Sequence, residues 1–411
     1  MKIPESVLIE SLGNRVGGIA RPDGSPAIFI RGALPGEQVT ISGLRTKKNY
    51  IEADLVSIEE PSPHRVKPFC KHYGICGGCS MQHLNYAEQL HWKKIWVEKA
   101  MRNLEIPGVN PTIPSPTTTG YRNKVTFDIK ENILTLHTFR GNPIPVDSCL
   151  LMNDSSAEAL KAFLATGIPH GITGVSVRGG ANTDSAIIEL TGDYQNRVPA
   201  NWPPAVIRKD RSWQSLKPGN MFEKLGEFMF QVPHGAFFQV NTKAAENLVN
   251  LVLNHIPEED NSVLDLYGGV GTFGIPLASK GSVVTSVEMN ENASIGCRKA
   301  AELNSIPPKK LHVINTKDSS FLAKAFKKKK YFDTVITDPP RAGMGINISQ
   351  QLKQLNPARI VYVSCNPFSA ARDIAIFTED HYTIRQITPV DMFPHTDHVE
   401  TVFLMERNQL I

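Results

Sequence analysis

The sequence predicts an α/β protein in which a doubly wound parallel sheet fills the C-terminal part, a small β-barrel opens the chain, and a mainly β region lies between them. Three observations carry this. From Asn241 onward, short apolar runs alternate with helical segments, the pattern of a parallel sheet. Within that stretch V-L-D-L-Y-G-G-V-G-T-F-G, starting at Val263, reads as strand, glycine turn and helix. Residues 1–60 alternate strand-like segments with glycine and proline turns, as small barrels do.

At 411 residues the chain is long enough for two or three domains with cores of their own. No membrane span is predicted, and the opening M-K-I-P-E-S-V lacks the apolar stretch of a signal peptide. A cytoplasmic protein with no membrane partner, acting as a monomer, is expected. Six cysteines in such a reducing compartment are read as ligands, nucleophiles or core residues rather than disulfides. The net charge of +4 permits a polyanionic partner without requiring one, and the lysine run 327–330 reads as a solvated helix end.

In chain order, the first strands are expected at 6–11, 27–30, 37–42 and 50–58, with turns at 15–18 and 34–36. Their G-G-I-A-R, F-I-R-G-A-L-P-G-E and Y-I-E-A-D-L-V-S-I resemble the TRAM domain, an RNA-binding, OB-like barrel. Arg15, Arg21, Arg45, Lys47 and Lys48 on such a barrel suit a phosphate backbone, or form ordinary surface. A proline-broken linker at 61–68 leads into F-C-K-H-Y-G-I-C-G-G-C-S. Cys70, Cys76 and Cys79 form C-x5-C-x2-C, with Gly77 and Gly78 letting the loop fold the thiolates onto one centre. Three ligands leave a tetrahedral site open, and Cys149 is the remaining cysteine ahead of the glycine-rich unit. Four thiolates suit an iron–sulfur cluster or zinc, the alternative being buried thiols without a ligand.

Residues 85–104 are predicted helical, with Leu90, Trp92, Ile95, Trp96, Ala100 and Leu104 at core spacing and Lys93, Lys94, Glu98 and Lys99 at the surface; this helix is expected to pack on the C-terminal domain. A strand pair at 121–129 and 133–139, joined near Glu131 and Asn132, and strands at 174–177, 185–190 and 205–209 make residues 117–232 mainly β. The expected domains are therefore 1–60, 61–234 and 235–411.

Strands at 263–267, 282–288, 311–315, 333–337 and 359–364 are followed by a closing pair, 382–389 and 399–406, joined without a helix. Ligands of an open α/β sheet bind beyond the carboxyl ends of its strands. Asp265, Glu288 and Asp318 follow successive strands and suit the amino acid, ribose and adenine of a nucleoside cofactor; a helix N-cap serves Asp318 equally well. Gly268, Gly269 and Gly271 let the first turn close beside a ligand. Gly269, Gly271 and Gly274 also satisfy G-x-G-x-x-G, but Asp265 would then sit beside a pyrophosphate. S-adenosylmethionine carries a cationic sulfonium and amine and no phosphate, which favours it over a nicotinamide or flavin cofactor.

After the fourth strand comes T-D-P-P-R-A-G, where Asp338, Pro339 and Pro340 form a rigid turn offering an acid and a flat face to a planar base. The fifth ends V-Y-V-S-C-N-P, placing Cys365 at the mouth of the same crevice rather than in a core. Carbon 5 of a pyrimidine is a poor nucleophile, so methylating it calls for a thiolate that adds at carbon 6 and a base that later removes the carbon-5 proton. F-P-H-T-D-H-V-E-T supplies His395, His398 and Glu400 for the second task.

With these motifs the chain resembles the S-adenosylmethionine-dependent RNA 5-methyluridine (uracil-5-) methyltransferases nearly end to end. The likeness runs through the TRAM-like start, C-x5-C-G-G-C, F-F-Q-V-N, D-L-Y-G-G-V-G-T-F, D-P-P-R-A-G, S-C-N-P and H-V-E-T. It implies a Rossmann-like class I methyltransferase sheet, Cys365 as nucleophile and Glu400 as base. It also implies S-adenosylmethionine held by Gln239, Asp265, Tyr267, Gly269, Thr272, Glu288, Asp318 and Asp338, and a [4Fe-4S] cluster on Cys70, Cys76, Cys79 and Cys149. Gly268 departs from the family, which often has cysteine there. The barrel and cysteine set resemble the 23S ribosomal RNA branch more than the tRNA branch. An exocyclic-amine RNA methylase would need D-P-P alone and no thiol. A cytosine-5 enzyme would carry a cysteine beside the proline motif, and residues 338–343 have none. The non-enzymatic alternative is an iron–sulfur RNA-binding protein with a degenerate methylase domain, against which Asp265, Glu288, Asp338, Cys365 and Glu400 all stand intact.

Overall fold

The computed structural model describes residues 4–14, 17–210 and 212–408; Arg15, one of the barrel cations noted above, lies outside them. The chain forms two compact units, Met1–Trp96 with Leu136–Ile144 and Phe393–His398, and Val97–Thr135 with Pro145–Met392 and Val399–Ile411.

In the first unit β1 (Ser6–Leu8), β2 (Ser11–Gly13), β3 (Gly17–Ala20), β4 (Ile28–Ile30), β5 (Gln38–Thr46) and β6 (Ile51–Glu60) form one sheet, ordered β1-β5-β6-β4-β3-β2. Its two edge strands are consecutive in the chain, so one bent segment closes the sheet into a barrel around Val7, Ile28, Ile30, Val39 and Ile51. Strand β3 was not expected, because Gly17 and Gly18 read as a turn. A Cβ on Gly17, at φ +91°, would lie 2.5 Å from the Ile30 carbonyl oxygen, so β3 pairs with β4 only because glycine stands there.

Buried Glu37 ties the barrel to the chain that follows. Its carboxylate accepts from the N–H groups of Leu34 (2.8 Å) and Ser62 (3.2 Å) and from Arg65 Nε (2.5 Å) and Nη2 (2.8 Å). Helix α1 (Tyr86–Met101) follows, and Trp96 packs with Leu12, Leu34, Met81 and Leu84 while donating Nε1–H to the Leu12 carbonyl at 2.9 Å. Lys93 corrects the surface assignment made from sequence. It is fully buried, its ammonium donating to the Phe393 carbonyl at 3.0 Å, so the apolar stem fills space while the charge has a buried acceptor.

In the second unit β7 (Lys124–Lys130) pairs with β8 (Ile133–His137) through Glu131 and Asn132, whose φ values of 49° and 61° make the expected tight hairpin turn. The chain returns in β9 (Pro143–Pro145). Helix α2 (Asp154–Leu164), capped by Asn153, then precedes β10 (Ile172–Gly179), β11 (Ala186–Gly192), β12 (Ala205–Lys209) and β13 (Ser212–Lys217), which extend the sheet as β13-β12-β11-β10-β7. A hairpin, β14 (Phe222–Leu225) and β15 (Phe228–Gln231), leads to α3 (Thr242–Leu253).

The remainder alternates as expected: β16 (Ser262–Leu266), α4 (Gly274–Ser279), β17 (Val283–Glu288), α5 (Glu291–Leu303), β18 (Leu311–Asn315), α6 (Asp318–Lys327), β19 (Thr334–Thr337), α7 (Ile346–Leu355), β20 (Arg359–Ser364), α8 (Pro367–Thr378), β21 (Tyr382–Val390) and β22 (Glu400–Arg407). The order β18-β17-β16-β19-β20-β22-β21, with β22 antiparallel to both neighbours, puts the reversal of strand order between the paired strands β16 and β19, and a ligand crevice is expected beyond their carboxyl ends. Leu264, Leu266, Val335 and Ile360 pack with Leu352, Ile374 and Phe377, and Val97 and Met101 at the end of α1 join the same core.

Replacing Glu37 by alanine leaves Arg65 and two backbone N–H groups without their acceptor, which is expected to cost about 3–5 kcal/mol. Amide exchange should accelerate across β4–β6 in Glu37→Ala. Burial raises the Glu37 pKa, but Arg65 and the two N–H groups more than reverse this, so the folded pKa lies below the unfolded one. The stabilisation is therefore present above the unfolded pKa and lost as pH falls through the folded one, and parent and variant should converge in acid. Unchanged barrel exchange in Glu37→Ala would refute the anchoring role.

Candidate active site

The turn after β16 runs through positive φ at Tyr267 (66°), Gly269 (55°) and Gly271 (94°), a region that glycine enters freely and tyrosine rarely does. Gly269 consequently aims its N–H at Glu288, which ends β17 and accepts at 3.1 Å through one oxygen while the other accepts from the Asn290 N–H at 2.5 Å. Tyr267 donates its hydroxyl to Asp318 Oδ2 at 2.6 Å, and Asp318 Oδ1 accepts from the Ser319 N–H at 2.6 Å. Asp318 is the first residue of α6 rather than its cap, a position held by Lys317. Three successive strand ends are thus joined by two carboxylates. Thr272 lies half-buried in the same turn.

Asp265 stands inside β16, not after it, and is 1% exposed. Its Oδ2 has no hydrogen-bond partner among the described residues. Burial pushes its pKa up to about 7, Asp338 and Glu288 add to the rise, and the Gly274 N–H opposes it. The Gly268 departure has a local cause. A Cβ there would meet Ser286 Oγ at 2.1 Å and Asp265 Oδ2 at 2.9 Å, so with serine at 286 only glycine fits.

At the ends of β19 and β20 the second cluster forms. Gln239, 4% exposed, donates Nε2–H to Asp338 Oδ2 at 3.5 Å, and its own carbonyl accepts from buried Asn123 Nδ2 at 2.8 Å. Burial pushes Asp338 up to about 7. Half-buried Cys365 is pushed up to about 12 by burial, then by Glu400 and Asp338, with Arg341 opposing. Glu400 opens β22, is 3% exposed, and leaves Oε1 without a partner among the described residues. Burial and then Asp338 raise its pKa well above the ordinary carboxyl range. A thiol and two carboxyls thus converge at one strand edge, each holding its proton more tightly than in water.

The loops bearing these groups are locked together. The Arg341 carbonyl accepts from Asn366 Nδ2 (3.1 Å) and Ser369 Oγ (3.0 Å), fastening the D-P-P-R turn to the S-C-N-P turn. Fully buried Asp373 in α8 accepts from the N–H groups of Met344 (2.7 Å) and Gly345 (3.2 Å) and from the Tyr362 hydroxyl (2.8 Å). Sequence reading missed Asp373, although a carboxylate in the otherwise apolar helix P-F-S-A-A-R-D-I-A-I-F was its signal. It also missed Phe237, 65% exposed two residues before Gln239.

His395 and His398 fall in the first unit, where His395 is buried and its N–H donates to Gln89 Oε1 at 2.9 Å. Cys70, Cys76 and Cys79 are half-buried in that unit, with the Gly78 N–H directed at Cys76 Sγ at 3.4 Å; Cys149 is half-buried in the other. Among the described residues no three or more His, Cys, Asp or Glu side chains are gathered closely enough to hold a metal. Of the barrel cations, Arg45 is bound bidentate to Asp54 (2.7 and 2.8 Å), Lys47 lies 3.6 Å from Glu52, and Arg21 lies 3.3 Å from Glu10. No helix among the described residues is long and apolar enough to cross a membrane.

Comparison with known proteins places the chain in a family. Residues 221–408 match the family described as tRNA (Uracil-5-)-methyltransferase, and residues 5–56 match the TRAM domain. The 23S rRNA (uracil(1939)-C(5))-methyltransferase of Marinomonas sp. is 31% identical, covering 98% of this chain and 94% of that protein. An RNA methyltransferase of Caldanaerobacter subterraneus is 32% identical, covering 97% of each. The chain belongs to the tRNA (uracil-5-)-methyltransferase family. It is thus an RNA uracil-5-methyltransferase with an α/β methyltransferase sheet and an N-terminal TRAM domain. The Pyrococcus abyssi tRNA (uracil-54, C5)-methyltransferase, solved with S-adenosyl-L-homocysteine, superposes with a TM-score of 0.77 at 28% identity, covering 98% of this chain and 99% of that one.

The pKa of Asp265 carries a test. A carboxyl whose folded pKa is raised stabilises most below its unfolded value, and the contribution is lost as pH rises toward about 7. Across pH 4–7 the melting temperature of the unliganded parent should therefore fall relative to that of Asp265→Asn, with the variant ahead at pH 8. Parallel curves for the two proteins over this range would contradict the burial of Asp265 with Oδ2 left without a partner.

Proposed function

We propose that this enzyme transfers a methyl group from S-adenosylmethionine to carbon 5 of a uridine in 23S ribosomal RNA, through a covalent bond between Cys365 and carbon 6. The observation that carries this is the convergence of Cys365, Asp338 and Glu400 at adjoining strand ends, where Glu400 and Asp338 add to the proton affinity that burial gives Cys365, and Asp338 adds to that of Glu400. S-adenosylmethionine supplies an electrophilic methyl group on a cationic sulfur. A crevice bordered by Asp265, Glu288, Asp318 and Asp338, with Asp265 Oδ2 and Glu400 Oε1 unpartnered, suits such a cation and would disfavour a phosphate. We assign Gln239, Asp265, Tyr267, Gly269, Thr272, Glu288, Asp318 and Asp338 to holding it.

The thiol of Cys365 must first lose its proton. Positive charge entering the crevice lowers thiol and carboxyl pKa values alike, and Arg341 acts in the same direction. The thiolate then adds to carbon 6, raising electron density at carbon 5, which takes the methyl group. Glu400 as carboxylate removes the carbon-5 proton; the carbon–sulfur bond breaks, its electron pair returns to sulfur, and the double bond re-forms. A carboxyl with a raised pKa is a better base for this step than a solvated one. The target uridine must leave its stack for both faces of the reacting carbons to be reached, which favours loop or opened RNA.

Residues 1–60 are taken as the RNA-binding barrel, 61–234 as the cysteine-bearing central domain and 235–411 as the methyltransferase domain, in a cytoplasmic monomer. For Cys70, Cys76, Cys79 and Cys149 we infer a structural [4Fe-4S] cluster. Four thiolates are the right donor chemistry for such a cluster, and no step of methyl transfer depends on it. Anaerobically purified protein should carry about four irons and matching sulfide. Stoichiometric zinc without iron or sulfide would reject the assignment.

Removal of the base should trap the enzyme on its RNA. Glu400→Gln expressed in cells should accumulate a methylated protein–RNA adduct that survives denaturing gels, is absent when Cys365→Ala is added, and yields 23S rRNA sequence. Recovery of tRNA instead would move the substrate assignment. Release of 5-methyluridine RNA by Glu400→Gln at the parental rate would remove Glu400 as the base. Cys365→Ser should lose methyl transfer by at least a thousandfold while binding S-adenosylmethionine as before; residual turnover within about tenfold would instead favour an amine methylase.

A further inference from the structure

The first unit contains a cleft of about 540 Å³ between strands β4 to β6 and the segment 138–142, inside the range of roughly 300–1,000 Å³ typical of ligand sites. Its composition differs from that of the rest of the barrel surface. The Arg31 guanidinium lies 3.8 Å from the centroid of the Phe139 ring, a stacked pair. Phe29 forms part of the wall, and Ile75 reaches it with 58% of its surface exposed. Arg140 stands close enough to Arg31 for the two charges to repel, although Asp397 and Glu52, the latter also in the cleft wall and itself within 3.7 Å of both Arg45 and Lys47, act on Arg31 more strongly. Two cations held together beside an aromatic face form a place for an anion joined to a planar group.

The far wall is fixed. Thr138 Oγ1 accepts from the N–H groups of Arg140 (3.3 Å) and Asn142 (3.1 Å), and Gly141 at φ +86° donates to the Thr138 carbonyl at 2.9 Å. The Gly77 N–H donates to the His137 carbonyl at 2.8 Å, and a Cβ on Gly77 would stand 3.1 Å from the backbone of residues 137–139. The segment bearing Phe139 and Arg140 is therefore braced by Gly77 of the cysteine loop. Arg45, which also lines the cleft, is bound to Asp54 by a direct ion pair, so its charge is already satisfied.

We propose that this cleft binds one unpaired nucleotide of the RNA substrate, with its base stacked on the Arg31–Phe139 pair beside Ile75 and its phosphodiester between Arg31 and Arg140. The proposal rests on the reading of the chain as an RNA methyltransferase but not on the role of Cys365. The cleft holds no thiol, so it takes a nucleotide other than the one methylated. Aromatic stacking supplies sequence-tolerant affinity, and paired arginines supply the salt-dependent part.

Full-length Phe139→Ala, Phe139→Leu, Phe139→Trp and Arg140→Ala proteins test it with a 23S rRNA transcript as the probe. Phe139→Ala and Phe139→Leu should raise KM for RNA about tenfold or more, with kcat and the affinity for S-adenosylmethionine within about twofold of the parent; Phe139→Trp should restore KM. Arg140→Ala should weaken RNA binding and reduce the slope of log K against log salt by about one. The same binding series in a Cys365→Ala background, where no turnover is needed, separates failure of this site from failure of the covalent mechanism. Unchanged RNA affinity in Phe139→Leu, or equal losses in Phe139→Leu and Phe139→Trp together with a fall in kcat, would overturn the proposal. Saturation of the cleft by free adenosine monophosphate below millimolar concentration, without competition from RNA, would instead make it a small-ligand site and overturn it too.

Discussion

Carboxyl groups crowded at the point where the sheet changes direction set the character of the catalytic unit. Burial raises Asp265, Glu400 and Cys365 first; Asp338 and Glu288 then add to the rise of Asp265, Asp338 to that of Glu400, and Glu400 and Asp338 to that of Cys365. No lysine or arginine is paired with Asp265 or Glu400 among the described hydrogen bonds, and an oxygen of each has no partner. An arrangement of this kind disfavours ionisation until a cation arrives. The strand order dictates it, since β16, β19, β20 and β22 lie side by side and bring their functional ends to one edge.

Such a crevice needs rigid walls, because repelling groups would otherwise separate. Asp373 meets the need from beneath. Buried within α8, it fixes the backbone of Met344 and Gly345, while the Arg341 carbonyl is held by Asn366 and Ser369. A Cβ at Gly343, at φ +78°, would come within 2.4 Å of Asp373 Oδ2, so the glycine of D-P-P-R-A-G is required by the anchor as well as by the turn. Glu223 plays the corresponding part near α3. Fully buried, it accepts from the N–H groups of Ala181 and Asn182 and from the Thr242 hydroxyl.

What could be read from the sequence divides along the same line. The catalytic strands were legible because parallel strands are covered on both faces and so appear as short, continuous apolar runs. Cys365, Asp338 and Glu400 were legible because each sits in a local motif at a strand end. Asp373, Glu223 and Glu37 were not, since their partners are defined only by the fold. The barrel cations misled for that reason as well: Arg45 reads as an available charge until Asp54, on the neighbouring strand, is seen to bind it. Lys93 reads as a surface lysine until the Phe393 carbonyl supplies a buried acceptor. Gly268 reads as a missing side chain, whereas Ser286 occupies the space that a larger residue would need.

Proton affinity alone does not mark the nucleophile. Cys297 and Cys365 are both pushed up to about 12, the first by burial and Asp265, the second by burial and Glu400. They differ in what surrounds them. Cys297 is fully buried in α5, and a Cβ on Gly271 would stand 2.9 Å from its sulfur, so no substrate atom can approach. Cys365 is half-buried at the end of β20, followed by an Asn366 cap and Pro367 that turn the chain away into α8. In the mechanism proposed above, charge brought in by a ligand would reach Cys365 together with the substrate, whereas buried Cys297 would be reached by neither. In that mechanism a thiol that stays protonated until its ligands are seated would also be shielded from the oxidants and alkylating agents that attack thiolates, so the burial and acidic neighbours that hold the proton on Cys365 would also protect it.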